Sequence, residues 1–112
     1  MIRVEILRDP KGDIYKFNIK GHAGFDEYGK DIICAAVSAI SQTAVLGIEA
    51  LKTVKIKKKI ESGDLQIDII DKGLAEDDIR LKAILETMVL GLKDIEADYP
   101  EYVRVMDRRC KK

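Results

Sequence analysis

Tryptophan is absent from this 112-residue sequence, histidine occurs once, and cysteine and proline occur twice each. Two cysteines, Cys34 and Cys110, make no disulfide framework. One histidine, His22, leaves a zinc site without its usual companions, so no metal or other cofactor is expected. Aromatic residues are 5% of the chain, few for a base-stacking platform. Twenty Lys plus Arg balance twenty Asp plus Glu, so no global positive field steers the chain toward nucleic acid. No apolar run reads as reaching the roughly 18–20 residues that cross a bilayer. Met1 to Pro10 alternates and carries Arg3, Glu5, Arg8 and Asp9, unlike a signal peptide. A phosphate-binding Gly-Lys loop and a Ser-centred nucleophile elbow are also missing. What remains is 46% hydrophobic and 36% charged. That composition fits one globular domain over residues 1–112, ending in a basic stretch at 106–112. The expected location is the cytoplasm, with free thiols and no membrane partner.

Periodicity supplies the elements. Ile2, Val4 and Ile6 alternate with Arg3, Glu5 and Leu7, the pattern of a half-buried strand. Asp9-Pro10-Lys11-Gly12-Asp13 makes a turn, and Tyr15, Phe17 and Ile19 then alternate with Lys16, Asn18 and Lys20. Gly21 to Lys30 breaks the pattern with three glycines and reads as a long functional loop. From Asp31 to about Thr53 the sequence is helical and apolar around most of its circumference, so cover is expected on more than one side. Small residues at Ala36, Ala39, Ala44 and Gly47 allow another element to approach. Val54–Ile60 and Leu65–Ile70 form a second hairpin around Glu61-Ser62-Gly63-Asp64. Ala75–Ala97 is an amphipathic helix with Glu76, Asp77 and Asp78 at its positive end, and Tyr102–Arg108 is a last strand. The order is β-β-α-β-β-α-β, an α+β fold with a mainly antiparallel sheet and two packed helices.

One constellation could carry chemistry. His22 lies between glycines in the loop, and Cys34 lies in the first turn of the long helix. Free amides and the helix dipole at that position stabilise a thiolate, which is the nucleophilic form. An imidazole nearby can take the thiol proton and return it to a leaving amine. The same amides can hold a developing oxyanion. Asp31 either orients His22 or simply caps the helix. Ser38, one turn beyond Cys34, shares its face and can support the site. Phe25 and Tyr28 can clamp a ligand or merely pin the loop. The bland alternatives are a Cys that fills space in an Ala-rich helix and a His that is merely exposed. Cys110, in the basic tail, reads as an inert thiol.

These residues also carry a family resemblance. Gly21-His22-Ala23-Gly24, followed by Gly29-Lys30-Asp31-Ile32-Ile33-Cys34-Ala35-Ala36-Val37-Ser38, resembles the ribosomal-processing cysteine protease family, called Prp, over essentially the full length. The motif is a glycine-flanked His, eleven intervening residues, then Cys at the head of an Ala-rich helix. The resemblance implies a cytoplasmic endopeptidase that removes a short N-terminal extension from ribosomal protein twenty-seven of the large subunit. The cut would follow a Phe-rich stretch and precede Ala. It implies His22 as base and Cys34 as nucleophile, with Asp31 at the acidic position near the cysteine. Gly21, Gly24 and Gly29 would let the loop close over a peptide. A homodimer is implied as well.

Two other classes compete. A non-catalytic ribosome-assembly or RNA-contacting module would rest on Lys52, Lys55, Lys57, Lys58 and Lys59, which otherwise read as a solvated strand face, and on the basic tail. Zero net charge and few aromatics argue against direct RNA binding. A thiol redox protein would need Cys34 and Cys110 within about 7 Å of each other.

Overall fold

Alternation and turn chemistry produce seven elements in the computed structural model, which describes residues 1–22 and 32–110. They are β1 (Ile2–Arg8), β2 (Ile14–Lys20), α1 (Ile32–Glu49), β3 (Lys55–Glu61), β4 (Asp64–Asp71), α2 (Ala75–Asp98) and β5 (Val103–Arg109). The sheet order is β3-β4-β2-β1-β5. The pairings β1–β2, β2–β4 and β3–β4 are antiparallel, while β5 returns after α2 to lie parallel to β1, so the sheet is mixed. The expected α+β order therefore stands, with one parallel pairing that alternation could not announce.

Cross-strand registers explain the core. Val105, Val4, Ile19, Leu65 and Ile60 make one apolar row across all five strands. The next row, Asp107, Ile6, Phe17, Ile67 and Lys58, is apolar on its three central strands and charged on both edges. Ile6, Phe17 and Ile67 are fully buried, and one cluster joins them to Ile33, Val37 and Ile48 of α1 and to Leu81, Leu85 and Leu92 of α2. The inward edge charges are each neutralised, Lys58 by Glu49 at 2.6 Å and Asp107 by Arg8 at 2.7 Å.

Several expectations need correction. Alternation puts Tyr15 on one face with Phe17 and Ile19, but the β1–β2 register shifts between Leu7 and Arg8, and Ile14 pairs with Arg8. Tyr15 is the extra residue of this bulge and is exposed, while Ile14 takes the core position. Helix α1 ends at Glu49 rather than near Thr53. The Thr53 amide donates to Asp77 Oδ2 at 3.0 Å, and its hydroxyl donates to the same oxygen at 2.6 Å, so the chain leaves the helical path. That hydroxyl also accepts from the Leu74 amide, an orphan donor at the start of α2, at 2.9 Å. The 18 residues of α1 are, by length and composition, enough to cross a membrane, contrary to the count of apolar residues in the sequence. In this fold Ile33, Val37, Ala44, Val45 and Ile48 of that helix are buried. The lysines from Lys52 to Lys59 are all exposed, as expected, but those of β3 do not share one face. Lys58 pairs opposite Ile67 on the helix side of the sheet, and Lys57 and Lys59 alternate away from it.

Candidate active site

The corner at the end of β2 is built from glycine. Gly21 has φ +98°, and a Cβ there would lie 2.3 Å from the Met1 carbonyl oxygen, so only glycine fits without displacing the backbone. Its amide donates to the Gly63 carbonyl at 2.9 Å, tying β2 to the β3–β4 turn. The amino group of Met1 donates to the His22 carbonyl at 2.7 Å. Gly63 has φ +70°, and a Cβ on it would sit 2.7 Å from His22 Nε2. The imidazole thus rests against a turn that has no side chain to push it away.

Helix α1 supplies the other wall. Cys34 is its third residue and is half-buried. A cavity of about 270 Å³ is lined by His22, Cys34, Ser38, Gln42, Ile60 and Gly63, among others. Cys34, Ser38 and Gln42 recur every fourth residue and so form a single stripe along the helix. Ser41 also borders the cavity, but its hydroxyl donates to the Val37 carbonyl at 2.8 Å, which satisfies it inside the helix.

The rim on the hairpin side is charged. Lys59 reaches Asp64 at 3.1 Å and Glu61 at 3.8 Å. A hydrogen bond from Gln66, reinforced by Lys59, holds the Asp64 carboxyl below the usual carboxylate range, so it stays ionised at the cavity mouth. Asp64 in turn raises the Lys59 ammonium above its usual range.

Of the residues singled out from sequence, Gly21, His22, Cys34 and Ser38 meet at this cavity. Gly24, Phe25, Tyr28, Gly29 and Asp31 lie outside the described residues. Sequence reasoning missed Gln42 and the Ser62-Gly63 turn. Gln42 was findable, because it continues the fourfold spacing from Cys34 through Ser38. The turn was not, since only the tertiary fold brings the β3–β4 hairpin under His22. Cys34 and Cys110 are not joined by a disulfide.

The arrangement can support nucleophilic chemistry, since a thiol at a helix head and an imidazole at the end of β2 line one cavity. Comparison with known proteins bears on this. A family model described as cysteine protease Prp matches residues 1–104. The ribosomal processing cysteine protease Prp of Staphylococcus aureus is 33% identical over 94% of this chain and 97% of its own length. That of Bacillus subtilis is 30% identical over 94% of this chain and 96% of its own. A crystal structure of the S. aureus protease with a covalently linked product peptide matches with a TM-score of 0.83. It is 29% identical and covers 96% of this chain and 100% of that one. Its complex with a substrate peptide matches at 0.79 and 28% identity, with the same coverage. Sequence and fold agree along nearly the whole chain, and it therefore belongs to the Prp family of ribosomal processing cysteine proteases and is a cysteine protease.

Proposed function

We propose that this protease removes the short N-terminal extension of ribosomal protein twenty-seven of the large subunit, cutting after a Phe-rich stretch and before Ala. Cys34 is the nucleophile and His22 the general base and acid. The observation that carries this reading is that His22 and Cys34, from different elements, line one cavity. The S. aureus relative adds support, because its structures hold a substrate peptide and a covalently linked product peptide. Covalent attachment is what nucleophilic catalysis requires of an intermediate.

In this mechanism the Cys34 Sγ attacks the scissile carbonyl carbon as its proton passes to His22. Backbone N–H groups at the head of α1 receive the developing oxyanion. The C–N bond breaks, and His22 returns the proton to the departing amine. Water, losing a proton to His22, then hydrolyses the thioester and restores the thiol. Asp31 orients His22 or caps α1, and Ser38 supports the site from one turn further on. Gly21, Gly24 and Gly29 allow the loop bearing Phe25 and Tyr28 to close over the peptide.

The reading includes a cytoplasmic location and a homodimer. A second, open cavity of about 780 Å³ between α1 and α2 is lined by small residues such as Ala39, Thr43, Gly47, Ala83 and Gly91. Leu46 and Leu90, on the same two helices, are well exposed. A second copy laid on this face would give α1 its remaining cover. Ala83→Arg should then sediment as a monomer where wild type is a dimer. Direct RNA contact is not part of the reading, since Lys58 and Lys59 are already paired with carboxylates.

The deciding experiment is mass spectrometry of a peptide spanning the ribosomal protein's extension, incubated with wild type, Cys34→Ala and His22→Ala. A single cut by wild type alone is the expected result. Cleavage by folded Cys34→Ala would overturn the nucleophile assignment, and near-normal rates with His22→Ala would overturn its role as base.

A further inference from the structure

The two edges of the sheet are finished differently. On β5, the outward amide of Val105 is met by Glu96 Oε2 of α2 at 2.7 Å. Nothing comparable serves β3: among the described residues its only ladder partner is β4, and its outward amides donate to no side chain. In the β3–β4 hairpin Glu61 and Asp64 flank the two-residue turn, and closing pairs of such turns exchange backbone bonds. Bonded and non-bonded pairs alternate from there, so Ile56, Lys58 and Ile60 turn their N–H and C=O groups to the open edge.

This open edge runs straight into the active site. Ile60 and Glu61, at its end, line the cavity that holds His22 and Cys34. Ser38 and Gln42 of α1 line the same cavity and give it polar groups. Ile60 is also the last member of the apolar row from Val105 through Leu65, and its side chain is still 44% exposed. A sixth strand laid on β3 would continue that row. A second copy of β3 is a poor candidate for this place, because Lys55, Lys57, Lys58 and Lys59 would meet their own kind.

We propose that the free edge of β3 binds an extended stretch of the substrate flanking the scissile bond, adding it to the sheet as a sixth strand. Main-chain bonds to Ile56, Lys58 and Ile60 supply affinity. The side chain set opposite Ile60 is apolar. The inference rests on the protease reading and deepens it by stating how the peptide is held.

The test compares wild type, Lys58→Pro and Lys58→Ala on two peptides. One is the long peptide spanning the extension, and the other is truncated to two residues on each side of the bond. Proline at 58 removes an outward N–H without removing a bond to β4, and edge positions tolerate it. KM for the long peptide should rise about tenfold in Lys58→Pro and stay near wild type in Lys58→Ala. The short peptide should be cut alike by all three. Should Lys58→Pro fail to fold, long peptides N-methylated at successive positions replace it, with wild-type enzyme. KM should then rise at alternate positions only. An unchanged KM in folded Lys58→Pro, or no alternation with the methylated series, would overturn the edge docking while short-peptide cleavage leaves the protease reading intact. Failure of wild type on both peptides would overturn both.

Discussion

The two ends of the sheet are held together by different means. Where β1 ends, charge does the holding: Arg8 bonds Glu86 at 2.6 Å and Asp107 at 2.7 Å, and Lys93 reaches Asp107 at 3.0 Å. Beside them Lys72 joins Asp13 at 3.0 Å and Asp9 at 3.4 Å, while Lys82 joins Asp78 at 3.2 Å. The first group ties β1 to β5 and α2, and the second ties the first turn to α2 through Lys82, which also lies 3.7 Å from Asp13. Where β1 begins, Met1, Gly21, His22 and Gly63 meet through backbone bonds and two left-handed glycines. The difference separates two tasks. The charged end fixes how the helices and strands dock, and the glycine end leaves a corner where an imidazole rests against Gly63 without a competing side chain.

That division can be broken by substitution. Gly63→Val should have the largest effect. Its Cβ would fall 2.7 Å from His22 Nε2 and its φ of +70° suits no branched side chain. A displaced imidazole should lower kcat/KM by about 100-fold, because misplacement by an ångström costs that much. The thermal midpoint should drop by only a few degrees. A Gly63→Val enzyme of normal activity would dissolve the distinction between the ends. Arg8→Met should do the reverse. It strands Glu86 and leaves Asp107 with Lys93 alone, and partial exposure keeps the loss to about 2–3 kcal/mol. Urea unfolding should report that loss while kcat/KM, measured well below the melting temperature, stays within about twofold of wild type.

The charged end and the glycine end also differ in how far the sequence disclosed them. His22 and Cys34 stood out because each is chemically rare in this chain and its neighbours, glycines for one and a helix head for the other, suit nucleophilic work. The seven elements were legible from alternation and turn residues, which are local signals. What stayed hidden depends on partners distant in sequence. Asp107 is polar within the strand that neighbours β1, and only the parallel register of β1 and β5 puts it beside Arg8. Tyr15 obeys the alternation of β2 perfectly well and is displaced only by a register shift against β1. The end of α1 was decided by Asp77, far along the chain, which captures the Thr53 amide. Gly63 reads as an ordinary hairpin glycine until the fold sets His22 against it.

Acid should sharpen the comparison with the smallest effect. The Arg8 guanidinium, with Lys93 beside it, holds the Asp107 carboxyl below the usual range despite a partial loss of solvent that would raise it. The Thr53 hydroxyl, then its amide, holds Asp77 low in the same way. A carboxylate depressed on folding binds fewer protons in the folded chain than in the unfolded one. Its stabilisation is therefore complete above the unfolded value, about 4, and disappears as pH falls through the lower folded value. Urea midpoints should accordingly be level from about pH 5.5 to 7.5 and decline below about pH 4. In Arg8→Met only Lys93 remains to hold the Asp107 carboxyl low, so that variant has less to lose, and the gap between the two proteins should narrow on acidification. Equal losses in both would mean that Asp107 does not depend on Arg8. The pH profile of kcat/KM should be the same for both enzymes, because Arg8 stands at the end of β1 away from His22 and Cys34.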